Sequence, residues 1–145
     1  METRTYNVYK IDELPKEAKE KAIENWRNND DYPWSDDNAN SLKAFCQHFS
    51  LDMPNFEYGY RSFIDSSDVI IDLKDFAPLT EDSLSGYCAD IALIKAITAN
   101  GSVNEAFKAW LKHCEDDYNA CREDDYIIET MQGNDYDFTL EGEID

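Results

Sequence analysis

The sequence predicts an α+β fold, a single acidic domain over residues 1–145 with a short antiparallel sheet packed by four or five helices. Three observations predict it. The length of 145 residues suits one hydrophobic core. Apolar residues make up 42% and aromatics 13%, a content that disordered acidic chains lack. The hydrophobic period switches along the chain between two and 3.6, in the order β-α-α-β-β-α-α-(α)-β.

Thr5 to Tyr9 alternates and is rich in strand formers, so it reads as a short strand. Pro15 opens an amphipathic helix over 16–28, with Asp12 in its N-cap region and Ala18, Ala22, Ile23 and Trp26 on one face. Ser35 is expected to cap a second helix over 36–49 that buries Leu42, Phe45 and Phe49. Phe56, Tyr58 and Tyr60 alternate with polar residues, and Val69 to Leu73 is a second strand-like run, so the two are expected to pair as a hairpin. Thr80, Asp82 and Ser83 open a third helix that Gly101 stops. Ser102 and Glu105 have capping-box spacing and start a fourth helix with the stripe Ala106, Phe107, Trp110, Leu111 and Cys114. A break is expected past Tyr118, then a short helix from Tyr126 to Gly133, a last strand over 136–140 and a turn at Glu141-Gly142.

The formal charge is −19. Residues 1–27 hold six acids and six bases, so the whole imbalance lies in residues 28–145. Glu115 to Asp145 carries twelve acids and one base, Arg122. The expectation is one ordinary end and one strongly anionic surface, which attracts cationic partners and repels nucleic acid and anionic lipid. Glu115-Asp116-Asp117-Tyr118 recurs as Glu123-Asp124-Asp125-Tyr126, and Asp30-Asp31-Tyr32 echoes it. Acids three or four apart on a helix lie about 5–6 Å from one another, of the order of the phosphate spacing along a nucleic-acid strand. Such a surface fits the basic groove of a nucleic-acid-binding protein, with Tyr118 and Tyr126 adding contact area. The plainer reading is a solvated acidic face with its tyrosines turned to the core. The candidate contacts are Asp116, Asp117, Tyr118, Glu123, Asp124, Asp125 and Tyr126, with Asp30, Asp31, Asp36 and Asp37 as a secondary patch.

Other chemistry finds little support. No acidic stretch has the alternation and glycine of a calcium loop. Cys46, Cys88, Cys114 and Cys121 form no C-x-x-C pair and are expected as reduced core or near-core thiols. A Cys88–His113 pair is conceivable, yet nothing near either residue supports it. No phosphate-binding glycine loop or nucleophile elbow occurs. The expectation is a cytoplasmic protein that is not an enzyme, with no cofactor, no metal and no membrane span.

The segment Thr5-Tyr6-Asn7-Val8-Tyr9-Lys10-Ile11-Asp12-Glu13-Leu14, followed by Glu17-Ala18-Lys19-Glu20-Lys21-Ala22-Ile23-Glu24, resembles small bacteriophage and prophage proteins. In these a strand runs into a DEL-x-x-EAK-x-KAI helix, and some are labelled antitoxin-like. Asp135-Tyr136-Asp137-Phe138-Thr139 and Gly142 are similar to their closing strand and turn. Their Gly- and Trp-rich hairpin has no counterpart in Phe56 to Leu73. The resemblance implies a phage-encoded accessory protein in an infected or lysogenic host and transfers no catalytic residue. Together with the charge it suggests an anti-CRISPR or anti-restriction inhibitor. Its partner would be a basic host protein or nucleoprotein complex, blocked without direct nucleic-acid binding. The alternative is an antitoxin that neutralises a basic toxin.

Overall fold

The computed structural model describes residues 3, 5–29, 32–65, 69–76, 79–80 and 83–145. Among them are five α-helices and a two-stranded antiparallel sheet, the α+β class expected. The helices are α1 (Lys16–Asn29), α2 (Ser35–His48), α3 (Ala89–Asn100), α4 (Val103–Ala120) and α5 (Asp124–Gly133), and the strands are β1 (Phe56–Glu57) and β2 (Phe63–Ile64). Contacts divide the chain into two compact units, one of residues 1–31 with 120–145, the other of residues 32–119.

In the first unit α1 and α5 pack through a core of Ile11, Leu14, Ala18, Ala22, Ile23, Ile127, Met131 and Phe138. Pro15 serves α1 as a first carbonyl, accepting from the Lys19 N–H at 2.9 Å, so its missing donor costs nothing. Each fully buried side chain, such as Ile127 or Phe138, contributes about 1.5–3 kcal/mol of apolar transfer. The strands expected at 5–9 and 136–140 shrink to bridges: Phe138 pairs with Tyr9 on one side and Ile144 on the other. Residues 135–137 and 139 carry polar side chains, which leaves Phe138 as the buried anchor of this ladder. The expected turn at Gly142 is present with φ +90°, and a Cβ there would collide with the Ala18 carbonyl oxygen. Asp12 belongs to a 3-10 turn, Ile11–Glu13, and its carboxylate pairs with Lys19 at 3.1 Å.

In the second unit α2, α3 and α4 enclose Leu42, Phe45, Cys46, Leu93, Ile97, Phe107, Trp110 and Cys114. Trp110 is fully buried and donates its indole N–H to the Asn38 carbonyl at 3.0 Å, so its one polar atom is satisfied. Phe56 of β1 packs edge-on against Trp110 at 4.7 Å, which seats the sheet on α4.

Three local expectations are corrected. Phe56–Glu57 pairs with Phe63–Ile64, not with the 69–73 run, because Gly59 (φ +106°) lets the chain reverse within five residues. Val69 to Ile71 instead lies against residues 101–103, with the Ile71 N–H donating to the Gly101 carbonyl at 2.8 Å. The third helix starts at Ala89, since Gly86 (φ +81°) interrupts any earlier helical turn; Asp82 lies outside the described residues. Trp34, not Ser35, occupies the N-cap position of α2, and no side chain caps it. The break expected past Tyr118 is present: α4 ends at Ala120, and the separate short helix α5 follows from Asp124 to Gly133. Gly101 does end α3, in the left-handed conformation (φ +72°). The Ser102 hydroxyl accepts the Glu105 N–H at 3.2 Å, half of the capping box.

Candidate anionic binding surface

The two units share the acid excess almost evenly. Residues 1–31 and 120–145 hold 17 acids against seven bases, and residues 32–119 hold 15 against six. The neutral N-terminal segment and the acidic C-terminal one therefore fold into the same unit, and the polarity along the chain is not a polarity of the fold. Lysines and arginines of the first segment meet acids of the last. Lys10 pairs with Asp135 at 2.8 Å and Asp137 at 2.6 Å, and Lys21 lies 3.6 Å from Glu143. The hydrogen bonds that Lys10 donates to those two carboxylates raise its pKa. Arg27 bonds Glu24, Asp124 and the Arg122 carbonyl, while Arg122 returns a bond to the Arg27 carbonyl. These exposed pairs are screened by solvent and individually weak, yet they offset part of the local negative field.

The acid-tyrosine repeats are placed differently by their two units. In the first unit Glu123 takes the N-cap position of α5, and Asp124 and Asp125 form its first turn, where the helix dipole favours negative charge. All three are exposed, as is Tyr126 in part; Asp124 is engaged by Arg27. In the second unit Asp116 is exposed on α4 and pairs with Lys112 at 3.0 Å. Asp117 and Tyr118 are half-buried. The Asp117 carboxylate accepts the Tyr32 hydroxyl hydrogen, and Tyr118 packs edge-on against Tyr32 at 5.5 Å and Tyr58 at 6.5 Å. The Tyr118 ring also closes on Gly59, where a Cβ would stand 3.2 Å from it. The plain reading thus holds for Asp117 and Tyr118, which build a tyrosine cluster. Burial raises the Tyr32 pKa and the Asp117 bond raises it further. The Cys114 thiol is pushed up to about 12, by burial first and then by the Asp117 charge. Asp36 and Asp37 form the first turn of α2, the former exposed and the latter half-buried. Asp30 and Asp31 lie outside the described residues.

The structure brings Asp37 and Asp117 to one cavity of about 460 Å³, lined also by Trp34, Tyr87, Cys88 and His113. The wall carrying Tyr87 and Cys88 is held by Asp90, a fully buried carboxylate on α3. It accepts the Ser85 and Gly86 N–H groups at 2.8 Å each, the Ser85 hydroxyl at 2.8 Å and the Ser41 hydroxyl. Trp34 and Tyr87 stay exposed at 47% and 41%, large for aromatics beside a core. Sequence reasoning missed this groove, because its members are scattered over positions 34 to 117. Two signals are available: the conceivable Cys88–His113 pair, both members of which line this cavity, and Trp34, which stands among acids without a helical stripe to join. Of the cysteines expected in or near the core, Cys46 and Cys114 are buried and Cys121 is half-buried, but Cys88 is exposed. The first unit has a cavity of its own, about 570 Å³, beside the edge-on pair Trp26 and Tyr136; Glu143 is its sole carboxylate.

Among the described residues no cluster of three His, Cys, Asp or Glu side chains could hold a metal ion, and no helix is long and apolar enough to cross a membrane. Comparison with family models, curated proteins and solved structures returns no match.

Proposed function

We propose that this chain is a phage-encoded, cytoplasmic, non-enzymatic inhibitor that binds a basic nucleic-acid-binding host complex of the defence or DNA-processing type. It competes with nucleic acid for that complex. The observation that carries this reading is the acid excess present in both units, 32 acids against 13 bases in all. Exposed carboxylates at Asp36, Glu123 and Asp125 face solvent alongside Asp116 and Asp124, which Lys112 and Arg27 engage. A field of this sign repels phosphates and speeds encounter with cationic surfaces. Asp116, Glu123, Asp124, Asp125 and Tyr126 are the primary contacts in this reading, and Asp36 and Asp37 the secondary ones. The half-buried Asp117 and Tyr118 shape the surface from beneath.

The test is affinity capture from bacterial lysate at about 50 mM and about 300 mM salt, with and without added nucleic acid. A basic nucleoprotein complex is expected at low salt, lost at high salt and displaced by the competitor, as ion-pair-driven association requires. Recovery indifferent to both salt and competitor overturns the reading. The antitoxin alternative uses the same anionic surface and is favoured by the N-terminal resemblance. It expects a toxic neighbouring gene and a growth defect on deletion of this chain, neither of which follows from an inhibitor.

A further inference from the structure

We propose that the cavity of the second unit is a pocket for one arginine side chain of a cationic partner. The pocket lies between the start of α2, the turn that opens α3, and α4. The proposal rests on the basic-partner reading and adds the side chain that is recognised. Three observations on the same few residues carry it.

The first is charge. Asp37 on α2 and Asp117 on α4 line the cavity from two walls, and among the described residues no lysine or arginine lines it. The nearest cation on the same helix, Lys112, is turned to Asp116. The Asp117 carboxylate already accepts the Tyr32 hydroxyl, which fixes its position and leaves a carboxylate with up to four acceptor sites capacity for a second donor. An anion entering this space would meet two carboxylates, with the imidazole of His113 as the one ionisable nitrogen among the described lining residues.

The second is the pair of exposed rings. Trp34 and Tyr87 line the same space, 47% and 41% exposed. Aromatic faces beside carboxylates favour a cation over a neutral apolar group, through attraction to the ring quadrupole. Among cations, the planar, weakly hydrated guanidinium both stacks on a ring and donates to a carboxylate in a fork, where an ammonium acts as a hydrated point charge.

The third is preorganisation. Asp90 clamps the Ser85-Gly86 turn through three hydrogen bonds and ties it to α2 through a fourth, from the Ser41 hydroxyl, so Tyr87 is delivered from a fixed support. Asn38, also on the cavity wall, is anchored by its carbonyl to the Trp110 indole and by its side chain to the Tyr32 hydroxyl. A pocket held this way loses little entropy when a side chain enters. Its volume of about 460 Å³ falls in the usual ligand-site range of roughly 300–1,000 Å³.

The test uses the isolated chain and needs no partner, so its failure and that of the inhibitor reading are separable. Acetyl-arginine-amide, acetyl-citrulline-amide and acetyl-lysine-amide are titrated to about 50 mM, the range in which a single-residue contact is measurable. The readout is the Trp34 indole N–H in ¹H–¹⁵N spectra, assigned by its loss in Trp34→Phe. Saturable shifts at Trp34 and at the Tyr87 and His113 amides are expected with arginine. Affinity should fall at least tenfold with the neutral isostere citrulline and with Asp37→Asn, and several-fold with lysine. Alkylation of Cys88 by iodoacetamide should slow in the presence of the arginine compound alone. Citrulline binding as well as arginine would show a neutral occupant and overturn the proposal. Lysine matching arginine would reduce the site to a general counter-ion surface, and absence of any saturable shift would remove the pocket; each is a refutation that the mutant-free arms deliver even if Asp37→Asn misfolds.

Discussion

Asp90 is the residue on which the groove wall depends, and its removal gives the sharpest number. Asp90→Ala takes away the acceptor for the Ser85 and Gly86 N–H groups and for the Ser41 and Ser85 hydroxyls. Hydroxyls rotate towards new partners, but two backbone donors and the fully buried Ser41 cannot all do so. At about 1–1.5 kcal/mol for each of these three, and with little relief from no longer burying a charge, the loss is about 3–4 kcal/mol. Asp90→Asn keeps one oxygen for the two backbone N–H groups and places an NH₂ against hydroxyls able to accept, so it should cost only about 1 kcal/mol. Urea unfolding followed by circular dichroism decides between them. With a slope near 1.5 kcal/mol per M, Asp90→Ala should lower the midpoint by about 2 M and Asp90→Asn by under 1 M. An alanine variant within about 0.5 M of the parent, or an asparagine variant as damaged as the alanine one, refutes the clamp.

Asp117→Ala removes the acceptor of the half-buried Tyr32 hydroxyl, which keeps only the bond it accepts from Asn38, and should cost about 1–2 kcal/mol by thermal melting, whereas Asp116→Ala, in an exposed pair with Lys112, should stay within about 0.5 kcal/mol. Replacing Asp36, Asp116, Glu123 and Asp125 together by the neutral Asn or Gln should lower the melting temperature only modestly, since three of them lie at helix N-termini and lose a dipole contact of about 0.3–1 kcal/mol each, and should abolish low-salt capture; intact capture removes these carboxylates from the interface. Gly101→Ala and Gly142→Ala force a Cβ onto a left-handed backbone and into a carbonyl oxygen, of Ile71 and Ala18 respectively, so each should destabilise by roughly 2 kcal/mol or more in the same urea assay. Burial holds the Cys46 and Cys114 thiols up to about 11 and about 12 from 9.0. Both pKa values are raised by folding, so the stability they contribute is complete below pH 9 and declines as pH climbs through 11 to 12. Native thiol titration should accordingly find Cys88 fastest and Cys46 and Cys114 unreactive until the chain unfolds.

How much could be read from the sequence follows the range of the interactions involved. Helix α1 is legible because Pro15 and the Ala18, Ala22, Ile23 spacing are local signals, and it spans Lys16–Asn29 against an expected 16–28. Gly101 is legible as a helix stop for the same reason. The hairpin partner of Phe56 was misassigned because Ile64 and Ile70 offer similar strand character. The choice rests on Gly59 reversing early and on residues 101–103 occupying the 69–71 edge, a contact thirty residues away. The α3 start is not legible because Asp90 turns its carboxylate back onto the Ser85-Gly86 turn, four and five residues before it, and is held there by Ser41, which is far off in sequence. Among the site residues, exposure of Asp116, Glu123, Asp124 and Asp125 follows from local charge density. The inward turn of Asp117 and Tyr118 does not, since it depends on Tyr32 and Tyr58, far off in sequence.

Residues 32–119 are one uninterrupted stretch, while the other unit joins 1–31 to 120–145. A ribosome therefore delivers every part of the former before the latter has its second half. Helix α1, with Ala18, Ala22 and Ile23 on its apolar stripe, must wait through that interval for Ile127, Met131 and Phe138 to cover it. Closing so long a gap carries an entropic toll that local helix pairs escape. Nascent-chain intermediates should thus guard the middle segment from proteases well before they guard α1, and clipping the final strand should expose the opening helix while sparing Trp110 and its neighbours.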